Sequence, residues 1–209
     1  MTEVAQNALE LVLFVGVMFK IMNECTSHRV VDYVRALFTL AFASFFLYTI
    51  HWYQHKHSDS VFGKLHDLHH NPNYKNKWYA ELLEGVNNAQ LLLFIIVNNL
   101  IKKVTNVQLF SNVMFVFLTC MYLVVHLVQY KVLYSCSHAK HHEYDSVNGM
   151  HRDHAAIKNY APYVMDNLFK TNAYCVTGET SLHVYAIIAL FRTYVVYCVT
   201  IWVCKHVLN

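Results

Sequence analysis

The histidines of this chain are grouped. From His51 to His70 the sequence reads HWYQHKHSDSVFGKLHDLHH, with six histidines in twenty residues, and from His138 to His154 it reads HAKHHEYDSVNGMHRDH with five more, so two windows hold eleven of the fifteen. His51 and His55 are spaced i, i+4, while His66, His69 and His70 are spaced i, i+3, i+4. On a helix both spacings bring the imidazoles to one face. A lone histidine is ordinarily a satisfied polar residue; three grouped sets form a ligand array. Imidazole serves zinc, copper, iron and nickel alike, so the donor type does not choose the metal. A structural zinc site needs four ligands and commonly draws on cysteine. Here at least eight histidines gather with no cysteine at ligand spacing, which predicts a binuclear centre.

Such an array needs helices to carry it, and the composition says where those helices lie. Of the 209 residues 56% are hydrophobic and 14% charged, against about a quarter charged in soluble domains. That balance predicts a membrane protein. The net charge is +3 and the lysines and arginines are dispersed, which excludes the basic, aromatic-interleaved surface of a nucleic-acid binder. Six cysteines without a C-x-x-C pair argue against a disulfide framework, and two prolines with five glycines leave little material for linkers. The chain is expected to be a single all-α domain, 1–209, built as a membrane helical bundle of about four spans.

Residues 8–22 are apolar, but Glu3 precedes them and no small-residue cleavage site follows, so they read as a retained anchor or interfacial helix. Residues 31–50 supply about twenty apolar positions, enough for about 30 Å of hydrocarbon, and leave His51 at the membrane exit. Residues 86–101 are apolar but short, with paired asparagines at both ends, a tilted or incomplete span. In the run 107–134 the first twenty residues suffice to cross and end near His126. Two crossings between His51 and His126 return the chain to the face it left, so both clusters can meet on one side. The stretch 182–204 is interrupted only by Arg192, which either snorkels from a span or marks a helix lying in the interface; the span is favoured.

The boxes resemble those of the fatty acid hydroxylase/sterol desaturase superfamily, integral-membrane non-haem di-iron enzymes, over roughly His51 to Thr171. The H-x-x-x-H box corresponds to His51 and His55, and the L-H-x-x-H-H box to Leu65, His66, His69 and His70. The polar segment closed by an acidic residue resembles the run ending at Glu84. A further histidine after the next hairpin corresponds to His126, with Tyr130 where a second histidine often stands. The last H-x-x-H-H box resembles His138, His141 and His142, and NYAPYVMDNLFKT, Asn159 to Thr171, resembles the N-[YF]-[GA] and W-D-x-x-F-G-T elements, with Met165 and Lys170 in the tryptophan and glycine places. His151 and His154, inside the sixteen-residue gap before Asn159, are an alternative completion of that box.

What the resemblance implies is oxygen-dependent hydroxylation or desaturation of a membrane lipid, fatty acyl or sterol-type. The cofactors would be two iron ions, held by His51, His55, His66, His69, His70, His126, His138, His141 and His142, with no catalytic residue beyond the ligands. It also implies molecular oxygen as co-substrate, an external electron donor of cytochrome b5 type, and a multi-pass location in the endoplasmic reticulum membrane if the source is eukaryotic. Asp67, Glu84, Asp145 and Asp153 stand near the boxes, either as acceptors for the second N–H of ligand histidines or as ordinary solvated carboxylates. His28, His57, His183 and His206 fall outside the pattern, and Trp52, Tyr53 and Tyr130 are assigned no role. The alternative is a catalytically inert membrane protein with a structural histidine–zinc site.

Overall fold

The computed structural model describes residues 3–70, 79, 83, 85–87, 89–128, 163–171 and 182–208. Among the described residues every regular element is helical, in keeping with the scarcity of glycine and proline. Helix α1 spans Glu3–Cys25, α2 Val30–Lys56 and α3 Val61–His70; a 3-10 turn, Ala89–Leu92, leads into α4, Leu93–Thr105. Then come α5, Asn112–Val128, the short α6, Tyr163–Phe169, and α7, Leu182–Val203, which runs on as a π-helical turn over Cys204–Leu208. The contacts divide the chain into two units, one of Met1–Ala43, Ala89–Val128 and Val176–Asn209, the other of Ser44–Asn88 and Gln129–Cys175. The division falls inside α2.

In the first unit an aromatic cluster holds the N-terminal half of α2 to α4 and α5. Phe42 lies 5.0 Å from Phe94 edge-on and 4.9 Å from Phe110, and Phe94 stacks on Phe115 at 5.7 Å, separations at which aromatic pairs attract beyond their burial. The asparagines that bracket the 86–101 stretch have a definite use here. Asn98 is fully buried; its Nδ2 donates to the Phe110 carbonyl at 3.0 Å and to Asn112 Oδ1 at 2.7 Å, while its Oδ1 accepts from the Phe110 amide at 3.1 Å. One side chain thus satisfies both backbone groups of the residue that closes the α4–α5 turn. Asn106 ends α4 in the left-handed region at φ 58, its amide donating to the Lys102 carbonyl, a common helix stop. With 13 residues α4 is about 20 Å long, too short to cross hydrocarbon.

Among the described residues two helices are long and apolar enough to span a membrane, Val30–Lys56 and His183–Leu208. Large apolar side chains stand exposed on both: Val34, Leu37, Phe38 and Phe45 on α2, and Ile187, Leu190, Phe191 and Trp202 on α7. Arg192 does not interrupt that outer surface. It does not reach outward to snorkel. The side chain is fully buried and its Nη2 donates to Glu10 Oε2 on α1, whose other oxygen accepts from Tyr185 at 2.7 Å. Further along, Tyr197 donates to Glu24 at 2.6 Å and Lys20 sits 5.2 Å from the Tyr197 ring. Contacts therefore advance along α1 and α7 together, and the two helices run in the same direction.

The second unit is organised on the C-terminal half of α2 and on α3, which fold back as a helical hairpin through His57–Ser60. The turn is built locally. Ser60 caps α3, its Oγ accepting from the Gly63 amide at 3.0 Å, the bond expected of an N-cap serine. Gly63 is buried against the end of α2, where a Cβ would collide with the His57 carbonyl oxygen and approach Ser58 Cα to 2.6 Å. Only glycine lets the turn close so tightly. In the same unit α6 ends at Lys170, whose φ of 59 turns the chain back so that the Thr171 amide donates to the Asp166 carbonyl at 2.8 Å.

Candidate metal centre

The hairpin brings two i, i+4 pairs face to face. His51 and His55 come from the last two turns of α2, His66 and His70 from the end of α3, and all four are buried, none more than 4% exposed. One nitrogen from each lies within 4.8 Å of every other. His66 is the hub: its Nε2 is 3.1 Å from His51 Nε2, 3.1 Å from His55 Nε2 and 2.9 Å from His70 Nε2. The rings meet mostly edge to face, at 79° between His51 and His66 and 88° between His55 and His66.

A neutral imidazole nitrogen either donates one proton or accepts at one lone pair. Three nitrogen neighbours around a single Nε2 therefore cannot all be hydrogen-bonded to it, and protonating the rings would crowd cations in a buried space. A cation at the centre removes the conflict, because every nitrogen then directs its lone pair inward. The donor set fits a metal ion: a buried group of four histidines, all with ring nitrogens converging, able to hold one.

The sequence-predicted ligands divide accordingly. His51, His55, His66 and His70 are brought together. His69 lies on α3 between two of them and His126 in the last turns of α5, but the placement of both imidazoles lies outside the described residues, as do His138, His141, His142, His151 and His154. Glu84, Asp145 and Asp153 lie outside them too. Asp67 is half-buried on α3. His57, left out of the ligand set on sequence grounds, is exposed, its ring 4.4 Å from that of Tyr53, and His28, His183 and His206 are exposed as well.

Some supporting residues were given no individual role by the sequence. Gln54, on α2 between the two ligands, is buried and donates to Asn87 Oδ1 at 2.9 Å. Tyr48, one turn before His51, is buried, its hydroxyl 3.1 Å from Thr171 Oγ1, which in turn donates to Asp166 Oδ1 at 2.8 Å. Helical spacing from His51 was the available clue to Tyr48, since 48, 51 and 55 follow i, i+3, i+7; Asp166 and Thr171 fall in the NYAPYVMDNLFKT element already singled out, but nothing local pairs that element with Tyr48. No family model, curated protein or solved structure matches the chain.

Proposed function

We propose that this protein is a multi-pass membrane oxidoreductase that hydroxylates or desaturates a membrane lipid, using molecular oxygen and a pair of histidine-held iron ions. The observation that carries the reading is the convergence of His51, His55, His66 and His70 in a buried space at the end of a helix long and apolar enough to span a bilayer. A metal of higher coordination number than zinc, held by these four, would keep positions free for oxygen, as a catalytic centre requires.

In this reading His51, His55, His66, His69, His70, His126, His138, His141 and His142 together would hold the two irons, with His151 and His154 as alternates. Bound iron would supply the oxygen activation and oxidising strength needed for an unactivated C–H bond. The chain's own contribution is placement. The α2–α3 hairpin fixes the imidazoles, their burial keeps water away, and the apolar length of α2 lets a lipid reach the centre while its tail stays in hydrocarbon. Electrons would come from a separate donor of cytochrome b5 type, and the endoplasmic reticulum is the expected membrane in a eukaryotic source.

One feature favours a second reading, an inert protein with structural zinc: four histidines are by number a full tetrahedral complement. Metal analysis of the purified chain separates the two. Two irons per chain and an oxygen-dependent change in the lipids of expressing cells, lost in His66→Ala, support the oxidoreductase; one tightly held zinc and unchanged lipids overturn it.

A further inference from the structure

Tyr48, His51 and His55 lie on one face of α2, and the segment that ends in Thr171 docks on that face one turn before the first ligand. Thr171 has a single hydroxyl proton, and it goes to Asp166 Oδ1 at 2.8 Å, so in the 3.1 Å contact with Tyr48 the phenol is the donor. The result is a directional chain, Tyr48 to Thr171 to the carboxylate of Asp166. Asp166 is 3% exposed and Tyr48 7%. Around this polar line the packing is apolar: the Phe169 ring stacks on Tyr48 at 4.7 Å and 20°, Phe45 lies 6.3 Å from Phe169, and Met165 packs on Tyr48.

The position of this chain of bonds is what gives it a role. A seven-residue helix has no stability of its own, so α6 stays where the relay and the Phe169 stack hold it. Apolar packing alone would anchor it but would not fix its rotation. A buried hydrogen-bonded carboxylate permits one arrangement, because any slip leaves polar groups without partners away from water. The left-handed Lys170 serves the same end, carrying Thr171 back to both the carboxylate and the carbonyl of Asp166.

We infer that Tyr48, Thr171 and Asp166 are positioning residues for the metal centre. They clamp α6 on the ligand-bearing face of α2 and thereby hold the first turn of that face, and with it His51, in register with His66. The inference rests on the metal-centre reading above. It assigns to Asp166 and Thr171 a task distinct from ligation, and it makes Tyr48 a structural hydrogen-bond donor rather than a redox participant.

The test uses the full chain in detergent, loaded with Co2+ as a spectroscopic probe, and compares Thr171→Val, Thr171→Ser and Tyr48→Phe. Thr171→Val keeps the side-chain volume but cannot relay the bond. It should weaken Co2+ binding about tenfold, at the lower end for groups that support ligands, and shift the visible ligand-field bands, at a temperature where the protein remains folded. Tyr48→Phe should shift the same bands, and Thr171→Ser should restore spectrum and affinity. Thr171→Val or Tyr48→Phe with lower thermal stability but a wild-type spectrum and affinity would reduce the relay to a staple and overturn the inference alone. A wild-type chain that binds no Co2+ overturns the metal-centre reading and this inference together.

Discussion

At the residue scale the centre depends on a turn as much as on its ligands. Gly63 sits where a methyl group would strike the His57 carbonyl and press on Ser58 Cα at 2.6 Å. Gly63→Ala must therefore open the hairpin, at a cost of about 1–3 kcal/mol typical of overpacking, and move His66 and His70 away from His51 and His55. The expected outcome is a chain that keeps its helical circular dichroism yet loses most of its bound metal, while His57→Ala, altering an exposed ring outside the cluster, keeps wild-type stoichiometry. The ligands themselves were legible because i, i+4 spacing is a local property of a helix. The cap at Ser60 and the relay from Tyr48 were not: the second joins residues 123 positions apart, and no periodicity records such a pairing.

At the scale of elements, α1 and α7 are joined by a charge pair that the sequence concealed. Residues 8–22 read as one apolar stretch although Glu10 lies within it, and Arg192 reads as an interruption of a span. Their partnership crosses 182 positions and turns two apparent flaws into one contact. The two members are not equivalent. Arg192 is fully buried, whereas the Glu10 side chain is 24% exposed and also accepts from Tyr185. Glu10→Gln strands a buried cation and should destabilise the fold by about 3–5 kcal/mol, the usual penalty for breaking a buried pair. Arg192→Met leaves Glu10 its bond from Tyr185 and should cost less. The double variant should be more stable than Glu10→Gln alone, since it removes the stranded charge. Denaturation of the four proteins in one detergent measures the cycle, and additive losses would show that the pair is uncoupled.

For the molecule as a whole, the question is how it meets the bilayer, and lengths decide it. At 1.5 Å per residue the 27 residues of α2 extend about 40 Å and the 22 of α7 about 33 Å, against a hydrocarbon thickness of about 30 Å. The described part of α5, 17 residues, covers about 25 Å. About four spans were expected from hydropathy, and among the described residues two helices have the length and apolarity for one; the turn between the 86–101 and 107–134 stretches is fixed by Asn98, which binds Phe110 twelve residues away. What the surface adds is direction. Leu37, Phe38 and Phe45 on α2 and Ile187, Leu190 and Phe191 on α7 are all more than half exposed, while Arg192 faces inward, so each long helix offers a continuous apolar side to its surroundings. Water is a poor solvent for such faces and lipid a good one. The chain should therefore remain in the pellet when membranes are washed with alkaline carbonate and enter solution only with detergent. Release by carbonate alone would mean that α2 and α7 cover each other or a partner instead of crossing lipid, and the placement of His51 at a membrane exit would fall with it.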